Sequence, residues 1–230
     1  MYSTSNLDCL QCSKRKVCCF RELDDEAMES LTDEKRTLIY ARGETIFHLE
    51  DPAQYFYCIE SGRVQLFRSS PNRDQSFTIK TPGAWIGFRD AISNGSYRHS
   101  ARVLEETIVC RYNRDLLDRF IETRPAFARS LTRELAEGWT RAEHQTYNLG
   151  ARRVTERLAD FLLELEQNSG DKEEIAMPLT REVLATLLGT TTETVIRTLS
   201  DFKSRGWIDM RKGRVTLKER GHLARLVAES

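Results

Sequence analysis

The sequence of 230 residues has no apolar run near the ~20 residues that a helix needs to cross a bilayer. Residues 1–20 carry cysteines and charges where a secretory signal would have its apolar core. The sequence also lacks internal repeats, low-complexity tracts, nucleophile motifs and phosphate-binding glycine loops. These absences argue against a membrane protein and favour a cytoplasmic protein that is not an enzyme.

The chain also lacks net charge, because its 35 basic and 35 acidic residues cancel. Bulk charge therefore does not indicate a nucleic-acid-binding protein. The charges are unevenly placed, since residues 181–225 contain ten basic and five acidic residues, and ten minus five leaves a local charge of +5. Such a segment suits contact with phosphates, although by charge alone an ordinary solvated surface is an equally good interpretation.

Residues 36–112 have the pattern of a β-domain. Short apolar runs alternate with turn signals such as Arg42-Gly43, Ser61-Gly62 and Pro82-Gly83. About eight strands at this spacing predict a sandwich or barrel, and a short helix is predicted before it over residues 21–35. The predicted strands are residues 37–40, 45–47, 55–59, 64–67, 77–79, 85–88, 101–103 and 107–111.

Helical periodicity replaces this pattern from residue 113 onward. Pro125 interrupts it, and Phe127, Leu131, Leu135 and Trp139 then recur every four residues. That stripe predicts either a core face or a dimer interface, and the spacing alone does not separate the two. A further amphipathic helix is predicted over residues 152–168.

Residues 179–199 predict a helix-turn-helix. Thr180 suits an N-cap and Gly189 permits a sharp turn. A second helix would be capped by Thr191 or Thr192, with the apolar positions 195, 199 and 202 facing inward. Its outward face would carry Glu193, Thr194, Ile196 and Arg197. An αα-hairpin with exposed charges is the alternative interpretation.

The outward residues have the chemistry of a helix that reads DNA. Arg197 can bind O6 and N7 of guanine, Glu193 can accept from a cytosine amino group, and Ile196 can touch a thymine methyl group. Residues 207–210 and 214–217 predict a β-hairpin wing, with Lys212 and Arg214 near a tip that could contact phosphates.

The chain has six cysteines, which are Cys9, Cys12, Cys18, Cys19, Cys58 and Cys110. Clustered cysteines in a reducing cytosol indicate metal or redox chemistry more often than disulfides. The four N-terminal thiolates could form a zinc knot, and a thiol–disulfide switch is a further alternative, although Cys18 and Cys19 are too close along the chain to pair easily. Cys58 lies between Tyr57 and Ile59 in a predicted strand and is interpreted as an inert core thiol.

A β-domain, a long helix and a winged helix-turn-helix, in that order, resemble the Crp/Fnr family of bacterial regulators over nearly the whole chain. The resemblance is carried by Arg42-Gly43-Glu44-Thr45-Ile46-Phe47, Ser61-Gly62-Arg63-Val64, Trp85-Ile86-Gly87-Phe88 and Thr192-Glu193-Thr194-Val195-Ile196-Arg197. It implies an α+β chain with a jelly roll like that of cyclic-nucleotide-binding domains. The expected parts are a cysteine-bearing arm (1–20), a β-roll sensor domain (21–112), a dimerisation helix (113–150) and a winged helix-turn-helix domain (151–230).

In this family the roll binds or hosts the effector and the long helix forms a homodimer, which implies an interface that includes Leu131, Leu135 and Trp139. The second helix of the motif reads palindromic double-stranded DNA, with Thr180 and the cap of that helix beside it. Family members also contact RNA polymerase through the roll and C-terminal loops. The resemblance therefore implies a transcription activator or repressor with three kinds of partner.

The cyclic-AMP branch of the family has a glutamate after the Ile-Gly of its nucleotide loop and an Arg-Ser pair further on. Phe88 and His99-Ser100 occupy these positions, and Arg98 is one residue out of register. An aromatic ring and a mostly neutral imidazole replace the ribose and phosphate contacts, so cyclic nucleotide binding is not expected. Haem also serves as an effector in the family, with His48, His99 and His144 as the candidates, but each is more easily explained as an ordinary histidine.

The Fnr-type branch resembles the chain more closely. It holds a [4Fe-4S] cluster with three cysteines in a C-x2-C-x5-C arrangement and a fourth in the roll, which implies Cys9, Cys12, Cys18 and Cys110 as ligands, with Cys19 as the alternative to Cys18. Thiolates are the soft ligands that such clusters select. Ile196 stands where that branch has serine, and a TTGAT-like half-site is the first expectation for the DNA. A small iron–sulfur redox protein would explain the cysteines but not the helix-turn-helix.

Overall fold

The computed structural model describes residues 8–18, 20–71, 74–93, 95–167, 175–177, 179–211 and 213–228. Cys19 and Lys212, which the sequence suggests as an alternative ligand and a DNA contact, lie outside the described residues. The chain divides into two compact units, Met1–Trp139 and Thr140–Ser230. No helix in the described ranges is both long enough and apolar enough to span a membrane.

The first unit begins with the cysteine-bearing segment and helix α1, which runs over Asp25–Glu34. Asp24 is its N-cap, and the carboxylate accepts a hydrogen bond from the Ala27 amide at 2.9 Å. Met28 and Leu31 are buried on the inner face of the helix. The short acidic helix that the sequence predicts is therefore present, and its apolar face packs into the unit.

Eight strands form two antiparallel sheets, as the fold prediction requires. One sheet has the order β1-β8-β3-β6 and the other β2-β7-β4-β5. The strands are β1 (Arg36–Tyr40), β2 (Thr45–Phe47), β3 (Tyr55–Ser61), β4 (Val64–Ser69), β5 (Asp74–Lys80), β6 (Trp85–Ile86), β7 (Ser100–Val103) and β8 (Thr107–Asn113). This arrangement confirms the jelly-roll architecture, and every predicted strand overlaps an observed one.

Two glycines shape the roll. The strand predicted over residues 85–88 ends at Ile86, because Gly87 adopts a left-handed φ of 76° and starts the short helix α2 (Phe88–Ile92). Gly62 joins β3 to β4 at a φ of 88°, and a Cβ at this position would lie 2.2 Å from the Thr107 hydroxyl oxygen. Only glycine fits both the backbone conformation and the space at residue 62.

The first unit has two apolar clusters. One fills the space between the sheets and includes Tyr57, Ile59 and Val109. The other lies outside the β1-β8-β3-β6 sheet and includes residues of α1 and the later helices, with a group of aromatic rings among its members. Its large members include Phe20, Phe56, Trp85, Tyr112, Phe120 and Phe127. Cys9, Cys18, Cys58 and Cys110 all belong to this second cluster.

The range 113–150, expected to hold the dimerisation helix, contains two helices that are separated at Pro125, where the sequence predicts an interruption. Helix α3 runs over Asp115–Thr123 and helix α4 over Pro125–Ala151. Arg124, between them, has a φ of −129° and a ψ of 85°. The break has a local cause, because the ring of Pro125 disfavours a helical conformation in the preceding residue while being tolerated in the first turn of the next helix.

The second unit contains the end of α4 and a winged helix-turn-helix. Its elements are α5 (Val154–Gln167), β9 (Ile175–Ala176), α6 (Arg181–Leu188), α7 (Thr192–Ser204), β10 (Ile208–Arg211), β11 (Arg214–Leu217) and α8 (Arg220–Ala228). The sheet has the order β10-β11-β9, so the predicted hairpin has a short third strand. Neither β9 nor α8 is predicted from the sequence, and the compact units divide inside α4 rather than at residue 151.

Candidate cysteine centre and DNA-reading helix

The segment of residues 8–18 is a series of turns held against α1. The Cys9 amide donates to the Thr32 hydroxyl at 3.0 Å. Within the segment, the Arg15 amide donates to the carbonyl of Cys12 at 3.0 Å, and the Cys18 amide donates to the carbonyl of Lys14 at 2.8 Å. These turns fold the segment back on itself, so that its three described cysteines, Cys9, Cys12 and Cys18, line one cavity.

One small cavity receives the side chains of five cysteines. Cys9, Cys12 and Cys18 approach it from the segment, and Cys110 approaches it from β8. All four ligands inferred from the resemblance therefore line the same cavity. Cys58 lines it too, because it lies directly opposite Cys110 in the antiparallel pairing of β3 and β8.

Cys58 is the residue of this site that sequence reasoning assigned to the core alone. It is buried, as that interpretation requires, but its thiol lies in the cavity with the other four. Only the register of β3 against β8 places it there, and side chains opposite each other in antiparallel strands share a face of the sheet. Cys58 is therefore a second candidate for a thiolate contributed by the sheet.

Burial favours the protonated form of the Cys110 and Cys12 thiols. It raises the pKa of Cys110 to about 12, although the nearby Lys35 ammonium acts in the opposite direction. Burial also raises the pKa of Cys12, against a lowering effect of a backbone hydrogen bond at Lys14. Because metal ions bind thiolates, a metal that enters this cavity must displace protons from it.

The spacing of the sulfurs distinguishes between kinds of metal site. A tetrahedral zinc ion with bonds of about 2.3 Å holds its sulfurs about 3.8 Å apart. Among the described residues, no group of three metal-ligating atoms that includes cysteine lies within 4.8 Å of one another. The described cysteines are all free thiols. The described cysteines are therefore not gathered at the spacing of a preformed tetrahedral zinc site.

A tighter group of possible ligands lies in the second unit. His144, Asp160 and Glu164 bring their ligand atoms within 4.8 Å of one another. Asp160 is already bonded to Arg152 at 3.1 Å and to Asn148 at 2.8 Å. Since these donors satisfy the carboxylate, the group is explained as a hydrogen-bonded junction between α4 and α5.

Phe20 connects the cysteine segment to helix α4. Only 2% of its surface is exposed, and its ring stacks on Phe127 of α4 with centroids 5.9 Å apart and an interplanar angle of 12°. It also contacts Trp85 and Tyr112, each at a centroid distance of 5.1 Å. The Tyr112 hydroxyl in turn lies 3.7 Å from the Cys9 sulfur. A continuous set of contacts therefore joins the cavity to the start of α4.

The helix-turn-helix of the second unit has the caps that the sequence predicts. The Thr180 hydroxyl accepts from the Val183 amide at 3.3 Å, and the Thr191 hydroxyl accepts from the Thr194 amide at 3.3 Å. Thr191 is therefore the N-cap of α7, and Thr192 is its first residue. Gly189 has a left-handed φ of 63° at the turn between the helices.

Helix α7 divides cleanly into a buried and an exposed face. Val195, Leu199 and Phe202 are buried in the core of the second unit. Glu193, Ile196 and Arg197 are exposed, and Thr194 is partly exposed. Hydrogen bonds from its own backbone and from Thr191 lower the pKa of Glu193, so this carboxylate is ionised at the helix N-terminus.

The wing follows α7 and ends in a tight turn. β10 and β11 pair from Ile208 opposite Leu217 to Arg211 opposite Arg214, and Gly213 in the turn has a φ of 77°. Arg211 and Arg214 are both exposed beside this turn. Helix α7 therefore exposes the Glu193 carboxylate and the apolar Ile196, and the adjacent wing exposes Arg211 and Arg214. This is the arrangement expected for base contacts by the helix and phosphate contacts by the wing.

Comparison with known proteins identifies both halves of this arrangement. A cyclic nucleotide-binding domain model matches residues 37–124, and a Crp-like helix-turn-helix domain model matches residues 156–226. The CRP-like cAMP-activated global transcriptional regulator of Mycobacterium tuberculosis is 31% identical over 211 residues, which cover 90% of this chain and 94% of that protein. The chain belongs to the Crp/Fnr family of transcription regulators. It is a DNA-binding regulator of that type.

Other Crp/Fnr relatives are similar over most of the chain. The nitrogen fixation regulation protein FixK of Bradyrhizobium diazoefficiens is 27% identical over 225 residues, which cover 96% of this chain and 94% of that protein. The solved structure of FixK2 from Bradyrhizobium japonicum superposes with a TM-score of 0.77 at 28% identity, over 84% of this chain and 96% of that one.

Aromatic and polar side chains pack against one another in the roll of this Crp/Fnr regulator. Phe47 stacks on Tyr97 with centroids 3.9 Å apart, and the Tyr97 hydroxyl donates to the Tyr55 carbonyl at 2.6 Å. Burial lowers the pKa of His99 to about 4, so its ring is neutral at physiological pH. The Ser100 hydroxyl accepts from the Leu49 amide at 2.9 Å.

The three residues of α4 expected at a dimer interface have different surroundings. Leu131 is buried in the aromatic cluster of its own unit, with 6% of its surface exposed, and so is a core residue of the single chain. Leu135 and Trp139 are exposed, Trp139 to 70%. The four-residue spacing put all three on one stripe, but the start of that stripe is covered by the β-roll unit. Leu135 and Trp139 remain as the candidates for a dimer contact.

Proposed function

We propose that this regulator responds to oxygen through a [4Fe-4S] cluster held by Cys9, Cys12, Cys18 and Cys110. The observation that carries the proposal is the convergence of the segment and β8 on one buried, cysteine-lined cavity. When bound, a cluster of this type supplies reactivity toward oxygen that protein side chains lack. The thiolate donor set is one that iron–sulfur clusters select, and a ligand from the sheet joins those of the segment, whereas a zinc knot would use the N-terminal cysteines alone.

The thiol side chains would have a mechanical role. As ligands, the three segment cysteines would be tied to Cys110 in a rigid strand, which fixes the position of the segment. Phe20 follows directly, and its contact with Phe127 would then hold the first turns of α4. Without the cluster, the segment would be held only by weaker contacts, such as the Cys9–Thr32 hydrogen bond and the packing of Phe20. The segment would then favour a different position of α4.

Helix α4 would transmit this difference to a homodimer. Leu135 and Trp139 are exposed apolar side chains one helical turn apart, as a helix–helix contact requires. A symmetric dimer would place two copies of α7 about one DNA turn apart on a palindromic site. Glu193 and Arg197 would read base edges. Ile196 would make an apolar contact where the Fnr-type branch has the polar side chain of serine. The roll and C-terminal loops would contact RNA polymerase at promoters.

Several features argue against a cyclic nucleotide as the signal, even though one relative is named for activation by cAMP. Phe88 packs its ring edge-to-face on Trp85, with centroids 5.1 Å apart, where a ribose-binding carboxylate would be needed. His99 is neutral and buried, and Ser100 is already hydrogen-bonded to the backbone. A nucleotide phosphate would therefore meet no cation from this pair of residues.

The test is the iron and acid-labile sulfide content of protein purified without air, together with its visible spectrum before and after exposure to air. The proposal predicts about four irons per chain and a broad band near roughly 420 nm that bleaches in air. Colourless protein that contains zinc, or no metal, would contradict it and would leave a DNA-binding regulator with another signal. A nucleotide titration of the same sample, followed by calorimetry, is expected to show no binding.

A further inference from the structure

Lys35 is a charged side chain that points into the cysteine cavity. It is the C-cap of α1, and only 8% of its surface is exposed. Its ammonium donates to the Cys9 sulfur at 3.3 Å. In the part of the chain that the structure describes, no carboxylate forms an ion pair with it.

This environment is incomplete for an ammonium group. Removing a cation from water without an anionic partner is among the most unfavourable changes in a protein interior. A neutral thiol is only a weak hydrogen-bond acceptor and supplies no charge. The other charged side chains around the cavity are Lys14, which has the same sign, and Glu60, which is partly exposed and not paired with Lys35. Negative charge inside the cavity would supply the partner that the Lys35 ammonium lacks.

We propose that Lys35 is the counter-cation of the cysteine centre. The inference rests on the proposed function, because four thiolates around a doubly positive cluster core leave a net negative charge beside the Lys35 ammonium. A fixed positive charge at this distance favours retention of the anionic centre and opposes the loss of an electron from it. Lys35 is a positioning and charge-balancing residue, not a ligand.

The test compares three variants in protein purified without air. Lys35→Met removes the charge and keeps the length of the side chain, Lys35→Arg keeps the charge, and Arg36→Met removes a charge from the next residue, which is exposed. We expect Lys35→Met to bind iron about tenfold less tightly, as for other groups that support metal ligands, and to bleach faster in air. Lys35→Arg should stay close to the wild type, and Arg36→Met should match it.

A second measurement separates charge balance from general packing. In the metal-free, reduced protein, Lys35→Met should raise the melting temperature by roughly 2–4 °C, because it removes a buried charge that then has no partner. In the iron-loaded protein the same change should lower it. Equal losses of stability in both forms would overturn the proposal, since they would show that Lys35 acts through packing alone.

Failure of the cluster and failure of the Lys35 role give different results. If the wild type retains no iron when purified without air, the proposed function itself is contradicted. If the wild type holds its cluster and Lys35→Met holds the same amount of iron with the same bleaching rate, only the role of Lys35 is overturned. Iron loss in Lys35→Met together with retention in Lys35→Arg supports both.

Discussion

Replacing Phe20 with alanine should separate the cysteine centre from helix α4. The ring is almost fully buried, and its centroid lies between 5.1 and 6.5 Å from the rings of Phe56, Trp85, Tyr112, Phe120 and Phe127. Truncation of a buried phenylalanine costs about 3–5 kcal/mol, because the transfer free energy is lost and a cavity remains. In a chain of this size, that loss corresponds to a fall in melting temperature of roughly 6–20 °C.

The assay is thermal unfolding of the iron-loaded protein, combined with sedimentation to measure the dimer dissociation constant. Val17→Ala is the matched control, because Val17 lies in the same segment and is 60% exposed. We expect Phe20→Ala to raise the dimer dissociation constant. Val17→Ala should leave the melting temperature and the dimer dissociation constant close to those of the wild type. The less disruptive Phe20→Leu should fold with a smaller loss and still weaken the dimer.

Two results would refute this reasoning. A loss of less than about 1 kcal/mol in Phe20→Ala would show that the ring is not part of a packed core. A large loss of stability with an unchanged dimer dissociation constant would confirm the packing but would contradict the proposed connection from the segment to α4.

Three further changes test other parts of the account. Arg197→Ala should weaken binding to the specific duplex by about 1–3 kcal/mol per half-site, as measured by fluorescence anisotropy. Arg205→Ala at the far end of α7 should have little effect, and equal effects of the two changes would show that Arg197 does not read a base. Cys110→Ala should lose the iron that Cys58→Ala retains, as measured by iron analysis, and the reverse result would assign the fourth ligand to Cys58. Gly62→Ala should lower the free energy of unfolding in denaturant titrations by about 1–3 kcal/mol, because φ is positive at residue 62 and the added Cβ overlaps Thr107. An unchanged unfolding midpoint would contradict this strain.

Local signals in the sequence were sufficient for the helix-turn-helix and its caps. Thr180 and Thr191 cap their helices as predicted, and Gly189 makes the turn between them. These signals work because a cap or a left-handed turn depends on residues within one helical turn. The same reasoning located the strands of the roll from alternating apolar runs and turn residues.

What the sequence could not supply was the identity of long-range neighbours. Cys58 was interpreted as a core thiol, because the sequence of either strand alone does not predict the pairing register that places it opposite Cys110. Leu131 looked like an interface residue because helical spacing defines a stripe without saying what covers it. Lys35 gave no signal at all, since a single lysine among 35 basic residues becomes notable only when its burial is known.

The most direct test of the central claim is the affinity of one protein sample for a palindromic duplex, measured first without air and then after exposure to it. The duplex should carry two TTGAT-like half-sites about one DNA turn apart, and a scrambled duplex of equal length serves as the control. The account predicts that air weakens specific binding by roughly 5–150-fold, the usual range for coupling between two sites, and that rebuilding the cluster restores it. Equal affinity in both conditions, with the cluster shown to be present and then lost, would contradict the account.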